Sequence, residues 1–273
     1  MQEAINKLTT LALALGKPFN HPGLPAPLAL VPDDVRLQDL EEHLDAPVRI
    51  RQSLKVLDAQ TFIDYVNRFA SDASAVFCNG PEGRTFIAVL DYHQPGQPSW
   101  ATHKATYQCP TTVEWGNWRK QDRQKLSQND FAEFIEENVK DIVQPDGTST
   151  APSAADMLEI SRTLEAKKNI SFRQGIRLDN GQVQLTYNEE IDGRAGASGQ
   201  LNIPEQFYIG IRPFLGGEAF CIPARFRYRI TDGRLFMWYE LVRPDKVLEE
   251  AYTAVREQIK AAIGQVPLYE ANL

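Results

Sequence analysis

Two histidines and an aspartate lie where two neighbouring strands of the predicted fold could bring them together. Asp91 and His93 stand two residues apart near the end of a predicted strand, so they share one face of that strand. If the chain returns as a second strand, His103 comes opposite this pair. Two imidazoles and a carboxylate suit a divalent metal, and Glu114 could add a fourth ligand or a base. The alternative is that these polar groups end a strand and hydrogen-bond the loop 95–98.

Arginine alternates with aromatic residues in the segment Arg225-Phe226-Arg227-Tyr228-Arg229. On a β-strand this alternation places the three guanidinium groups on one face and the two rings on the other. The Asp232-Gly233 pair that follows is typical of a two-residue hairpin turn, which fixes the register of the flanking strands. The predicted pairs on the arginine face are Arg229 with Phe236, Arg227 with Trp238, and Arg225 with Glu240.

The face formed by Arg225, Arg227, Arg229 and Trp238 has two possible uses. Guanidinium groups interleaved with aromatic rings can bind phosphates and stack on bases, which predicts a polyanion-binding surface. Alternatively, the arginines stack on Trp238 and pair with Glu240 within the fold itself. The sequence pattern leaves both uses open.

Motifs of the common catalytic and nucleotide-binding families are absent from the sequence. The glycines in 193–199 and 216–217 match neither the GxGxxG pattern nor a Walker loop, and there is no GxSxG or HExxH. Cys78, Cys109 and Cys221 are widely spaced and odd in number, which argues against a disulfide framework or a zinc knuckle. We therefore predict no catalytic residue and no cofactor, with the divalent metal as the alternative.

Blocks of predicted strands and helices indicate an α+β fold, with amphipathic helices packed on largely antiparallel sheets. The Asn180-Gly181 pair predicts a hairpin in which Leu178 lies opposite Val183. A helix is expected over 155–168 and a loop over 191–199. We expect four segments: an N-terminal helix and Pro-rich arm (1–47), a mixed α/β unit (48–143), a linker (144–155) and an antiparallel β unit with a C-terminal helix (156–273).

The segment 17–47 is predicted to be an extended arm. Its prolines prevent a long helix and interrupt strand ladders. Its apolar residues are too numerous for a solvated linker, so the arm is expected to lie on its own domain or on a neighbouring subunit. Those residues are Phe19, Leu24, Leu28 and Leu30. Together with an apolar seam in the helix over 5–15, the arm predicts a homo-oligomer.

The charge balance limits the kinds of partner that the chain can attract. Lys and Arg number 29 against 36 Asp and Glu, a net charge of −7, which argues against nucleic-acid binding through overall charge and leaves a local basic patch open. No apolar run approaches the roughly 18 residues of a membrane span. The short N-terminal apolar stretch, with Glu3 before it, does not fit a signal peptide. We expect a cytoplasmic protein without membrane contact.

Several aromatic-rich stretches resemble those of a known family. They are Phe62-Ile63-Asp64-Tyr65-Val66-Asn67-Arg68-Phe69, Val89-Leu90-Asp91-Tyr92-His93, Ala105-Thr106-Tyr107 leading into Glu114-Trp115, and Ser127-Gln128-Asn129-Asp130-Phe131-Ala132-Glu133-Phe134. With them the chain resembles the YfdQ-like family of tailed phages and prophages over nearly its whole length. That family is classed as a domain of unknown function. The resemblance implies a phage origin and a bacterial cytoplasm, and it implies no chemistry.

Three functions follow from these patterns. The first is a phage-encoded accessory protein, not an enzyme, that self-assembles and acts by binding, with a host protein or defence factor as its partner. The second is an accessory protein of phage replication or recombination that binds single-stranded nucleic acid through the arginine face. The third is a hydrolase that uses a metal held by Asp91, His93 and His103.

Overall fold

The computed structural model describes residues 2–15, 41–145, 151–177, 183–195 and 202–271. The chain divides into two compact units, Met1–Ile50 and Arg51–Leu273. In the first unit, helix α1 spans Gln2–Leu15 and a single turn of 3-10 helix spans Glu41–His43. The predicted arm residues Phe19, Leu24, Leu28 and Leu30 lie outside the described residues.

The second unit contains the sheets and the helices that pack on them. Its strands are β1 Gln52–Val56, β2 Ala75–Cys78, β3 Thr85–Val89, β4 His103–Gln108, β5 Leu126–Ser127, β6 Ile142–Val143, β7 Glu165–Arg177, β8 Val183–Arg194, β9 Gln206–Ile211, β10 Phe220–Thr231, β11 Arg234–Leu241 and β12 Leu268–Glu270. Its helices are α2 Ala59–Phe69, α3 Gly80–Gly83, α4 Val113–Gln121, α5 Gln128–Glu137, α6 Ala154–Thr163 and α7 Pro244–Ala262.

The first sheet has the strand order β1-β4-β3-β2-β12. Its three central strands are antiparallel, whereas β1 runs parallel to β4 and β12 runs parallel to β2. Helix α2 begins after Asp58, whose carboxylate accepts a hydrogen bond from the Thr61 backbone amide at 2.7 Å. The apolar stripes of α2 and α7 pack against this sheet and bury Phe62, Val66 and Ile259 completely.

The second sheet has the strand order β5-β11-β10-β9-β6 and is antiparallel throughout. Helices α4, α5 and α6 cover one face of it, where Trp118, Phe131 and Ile160 join the buried core. Helix α5 is capped by Ser127, whose hydroxyl accepts a hydrogen bond from the Asp130 amide. Two largely antiparallel sheets with helices packed on them confirm the predicted α+β class.

A separate hairpin of β7 and β8 corrects three sequence-based expectations. The predicted helix over 155–168 ends at Thr163, and β7 begins at Glu165. Strand β8 runs to Arg194, into the segment expected to be a loop. The register also differs, because Val183 pairs with Arg177 and not with Leu178, which lies outside the described residues. A bulge between Arg173 and Ile176 then shifts the ladder again.

Both sheets draw strands from either side of the predicted linker 144–155. In the first sheet β12 joins strands that precede the linker, and in the second β5 and β6 join strands that follow it. The four-segment division of the chain stays a prediction. Among the described residues, no helix combines the length and the apolar character needed to cross a bilayer.

Candidate functional site

The arginine face lies on the hairpin of β10 and β11, in the register that the sequence predicts. Arg225 pairs with Glu240, Arg227 with Trp238 and Arg229 with Phe236. The turn residues Asp232 and Gly233 have φ angles of 53° and 73°, as a two-residue hairpin turn with two left-handed positions requires. This turn explains why the register could be predicted from the sequence.

The opposite face of the same hairpin is core. Phe226, Met237 and Tyr239 are at most 3% exposed and pack under the helices. Since side chains alternate along a strand, this burial forces Arg225, Arg227 and Arg229 to the outer side of the sheet. Arg225 and Arg229 are exposed there, and no ion pair is present for either among the described residues.

Arg227 and Trp238 have partners within the face, as the alternative interpretation predicted, although one partner differs. The Nε of Arg227 lies 3.9 Å from Glu240 Oε2, and Trp238 Nε1 donates to Glu240 Oε1 at 3.4 Å. The cation over the Trp238 ring is Lys125, with its Nζ 5.4 Å from the ring centroid. These contacts are long and partly exposed, so they hold the groups in place weakly.

Two further side chains lie on this outer face. Phe236 was predicted there as the partner of Arg229 but was not counted among the candidate site residues, although it lies two residues before Trp238 on β11. Lys125 was not predicted. Lys125 comes beside Trp238 because Leu126 of β5 pairs with Met237, and a two-residue strand leaves no sequence signal. We call the whole set the basic aromatic face: Lys125, Arg225, Arg227, Arg229, Phe236 and Trp238.

Asp91, His93 and His103 do not form a ligand set for a metal ion, and each has a hydrogen-bond partner of its own. Strand β3 ends at Val89, so the alternation that placed Asp91 and His93 on one strand face no longer applies beyond it. His93 Nδ1 accepts from the Ser99 amide at 2.9 Å. Asp91 accepts from the backbone amides of Thr102 and His103 at 2.9 and 2.8 Å.

The imidazole of His103 is buried against Phe69 and Tyr65, with its Nε2 2.8 Å from the Tyr65 hydroxyl. Burial lowers the pKa of His103, and the Asp91 charge opposes this only in part. Burial alone would raise the pKa of Asp91, but the hydrogen bonds from His103 and Thr102 outweigh it and lower that pKa. Across the described residues, no three histidine, cysteine, aspartate or glutamate side chains are placed to hold a metal ion.

Glu114, the proposed fourth ligand or base, lies instead in a cleft of about 350 Å³ beside Asp141 and Arg212. Asp141 Oδ2 accepts from Trp118 Nε1 at 2.8 Å. Burial raises the pKa of Asp141, with the Glu114 charge adding to it, and the Trp118 hydrogen bond opposes the rise. A partly buried carboxyl with a raised pKa is the kind of group that can act as a general acid, but no metal ligand set accompanies Asp141 within the described residues.

The cysteines offer no activated nucleophile. Burial raises the pKa of Cys109 to about 11, although the Tyr107 hydroxyl and the Arg84 charge act in the other direction. Cys78 is buried as well, and the exposed Cys221 has a pKa raised by partial burial. A thiol with a raised pKa is protonated near neutral pH and is a poor nucleophile.

Fold and site together define an α+β protein whose second sheet is covered by helices on one face and carries arginines beside half-buried aromatic rings on the other. The chain belongs to the uncharacterised conserved protein family DUF2303, whose model matches residues 1–270. No curated protein and no solved structure matches it.

Proposed function

We propose that this protein is a phage- or prophage-encoded accessory protein that acts by binding, and that its basic aromatic face binds single-stranded nucleic acid. The observation that supports this most directly is the placement of Arg225, Arg227 and Arg229 beside Trp238 on the outer face of a sheet whose other face is core. The resemblance to the YfdQ-like family supports the phage origin and a bacterial cytoplasm.

Charge complementarity favours a nucleic acid as the ligand. Strands β10 and β11 carry four arginines and a single carboxylate, Glu240, although the chain as a whole has a net charge of −7. The attraction therefore comes from this patch and acts over about one Debye length, roughly 8–10 Å at physiological salt. Binding should weaken steeply as salt rises, since phosphate contacts release counterions.

The aromatic side chains favour a single strand over a duplex. Phe236 and Trp238 are two residues apart on β11, which separates them by about 6.7 Å along the strand. Neighbouring bases in one strand of a duplex are 3.4 Å apart, about half of this distance. Two neighbouring bases that each contact one ring must therefore unstack from each other, which a single strand allows and a duplex opposes. Base stacking on an exposed aromatic contributes about 1–3 kcal/mol per base.

The test is fluorescence anisotropy of a labelled oligo(dT) over a series of salt concentrations. We expect Arg225→Gln and Arg229→Gln to reduce the slope of log K against log[salt] by about 0.7 each. Arg227→Ala should also weaken binding. The matched control is Arg68→Gln, which removes an arginine that is also exposed but lies on α2 at the first sheet.

Stacking is tested separately by Trp238→Ala, which should cost about 1–3 kcal/mol of binding free energy. The control is Trp100→Ala, because Trp100 is 74% exposed and lies outside the second sheet. If wild-type protein is not retained on oligo(dT) at about 50 mM salt, the proposed function is wrong. Equal affinity for heparin and for oligo(dT) would show that the face binds polyanions in general and does not select nucleic acid.

Self-assembly is a second candidate function, favoured by helix α1. The predicted helix is present over Gln2–Leu15, and Ile5, the first residue of its apolar seam, is 49% exposed. A second copy of the chain is the occupant that such a seam would take.

A further inference from the structure

Glu240 stands out as an acidic side chain within a cationic surface. It lies directly opposite Arg225 in the β10–β11 ladder and is the only carboxylate on either strand. Its side chain is 31% exposed, so it is held in the face while remaining open to solvent. A carboxylate here reduces the attraction for phosphates, which makes it costly for simple polyanion binding.

Within the part of the chain that the structure describes, each oxygen of Glu240 has one polar neighbour. Oε1 accepts from Trp238 Nε1 at 3.4 Å, and Oε2 lies 3.9 Å from Arg227 Nε, beyond hydrogen-bond distance. An ionised carboxylate offers about four acceptor positions and no donor. Each oxygen therefore keeps room for a further N–H group, and the indole holds the carboxylate close to the Trp238 ring.

A base stacked on Trp238 would direct an edge toward this carboxylate. Trp238 and Glu240 are two residues apart on the same face of β11, and Glu240 Oε1 lies 3.4 Å from Trp238 Nε1, so the carboxylate lies at the edge of the ring on which a base would stack. The ring is covered now by the exposed side chain of Lys125, whose Nζ is 5.4 Å from the centroid. Lys125 can move aside and pair with a phosphate when a base takes its place.

We propose that Glu240 is a specificity-determining residue that selects guanine at the Trp238 position, an inference that rests on the proposed function of the face. Guanine presents two adjacent donors, N1–H and N2–H, that match the two oxygens of a carboxylate. Cytosine and adenine present an amine next to a lone pair, and thymine presents one N–H between two carbonyls. Those acceptors would face the negative charge of Glu240, so the three other bases bind less well.

The test compares heptamers that differ only at the central base in a thymidine background: d(TTTGTTT), d(TTTATTT), d(TTTCTTT) and d(TTTTTTT). We expect wild-type protein to bind the guanine heptamer at least about fivefold more tightly than the others, as for a bidentate base contact. Replacing the guanine by inosine, which lacks the N2 amine, should remove most of that preference without any change to the protein.

In Glu240→Gln the guanine preference should disappear, while affinity for d(TTTTTTT) stays equal or rises because a negative charge has left the face. If Glu240 had only a structural role, the variant would bind all four heptamers more weakly and by the same factor. The matched control is Glu133→Gln, the same change on helix α5 at the core side of the sheet. Equal wild-type affinities for the four heptamers, or a preference that survives in Glu240→Gln, would overturn the inference while leaving the binding function intact. Absence of binding to d(TTTTTTT) would overturn both.

Discussion

The hydroxyl of Tyr239 donates a 2.7 Å hydrogen bond to the backbone carbonyl of Trp118, and both side chains are completely buried. Tyr239 lies on the core face of β11, directly beside Trp238 in the chain, and Trp118 lies on helix α4. The bond therefore fixes the strand that carries the basic aromatic face to the helix beneath it. The edge-on contact of the two rings, with centroids 5.0 Å apart, adds to this connection.

We expect Tyr239→Phe to lower the free energy of unfolding by about 1–3 kcal/mol, because the Trp118 carbonyl loses its buried donor. Urea unfolding followed by tryptophan fluorescence measures this. Tyr269→Phe serves as the control, since Tyr269 is about half exposed. An unchanged unfolding midpoint in Tyr239→Phe would show that the bond does not hold β11 to α4.

Stability should fall as the pH is lowered from 7 to 5, because of His103. Its pKa in the folded protein is lowered from 6.5 by burial, so the unfolded chain takes up a proton at a higher pH than the folded protein does. The contribution of neutral His103 to the free energy of unfolding is complete above about pH 6.5 and declines as the pH falls below that value. Asp91 has a lowered pKa, so its ionised form stabilises the folded protein at pH values above 3.8, its ordinary pKa. That stabilisation is lost only at lower pH, outside the range from 7 to 5.

Thermal unfolding at pH 7, 6 and 5 tests this assignment. His103→Gln should be less stable at pH 7, since Tyr65 loses its 2.8 Å partner, but it should depend less on pH over this range. His43→Gln, at an exposed histidine of the first unit, is the control. If wild type and His103→Gln lose stability in parallel, another group is responsible.

At the cleft beside α4, we expect Asp141→Asn to raise the melting temperature at pH 7. Burial and the Glu114 charge raise the pKa of Asp141, so its ionised form at neutral pH destabilises the folded protein. The amide keeps an acceptor for Trp118 Nε1 and carries no charge. Below about pH 3.8 the Asp141 carboxyl is protonated in both the folded and the unfolded protein, so the gain in melting temperature should vanish.

Asp141→Ala provides the comparison, because it removes both the charge and the acceptor. It should destabilise the protein relative to Asp141→Asn by about 1–3 kcal/mol, as the buried indole N–H loses its partner. Calorimetric scans at pH 3.5 and pH 7 separate the two effects. A lower melting temperature for Asp141→Asn at pH 7 would contradict the assignment.

If the full-length protein self-assembles through α1 and the arm, deletion of residues 1–47 should lower the number of subunits in the assembly. Native mass spectrometry of the two proteins measures that number. The described second unit begins at Arg51 and contains both cores, so the truncated chain keeps them. A truncated protein with the subunit number of the full-length chain would exclude assembly through α1 and the arm.

The two hairpins show what could be predicted from the sequence. The turn at Asp232 and Gly233 has only two residues and leaves one register possible, so the pairs of the arginine face were predicted correctly. In the other hairpin the described ladder has Arg177 opposite Val183, one position away from the register that a two-residue turn at Asn180-Gly181 predicts. A bulge between Arg173 and Ile176 adds a further shift, so the Asn180-Gly181 pair indicated the hairpin without its register.

The part of the candidate site that lies on one hairpin, β10 and β11, was predictable from the sequence. The contacts between segments that are distant in the chain were not. Lys125 reaches Trp238 through the short strand β5, and Asp141 meets Glu114 through the packing of α4. The metal hypothesis assumed that β3 continues to His93, whereas Asp91 caps the backbone of Thr102 and His103. Alternation along a strand has no meaning past its last paired residue.

Strand β12 gives the first sheet an order of assembly during synthesis. It pairs in parallel with β2, and its residues Leu268–Glu270 follow helix α7. While the ribosome is still translating the second sheet, the outer edge of β2 is unpaired and open to other extended chains. We therefore expect nascent chains that stop before Leu268 to aggregate more readily, because pairing with β12 replaces the edge of β2 with that of a strand of only three residues.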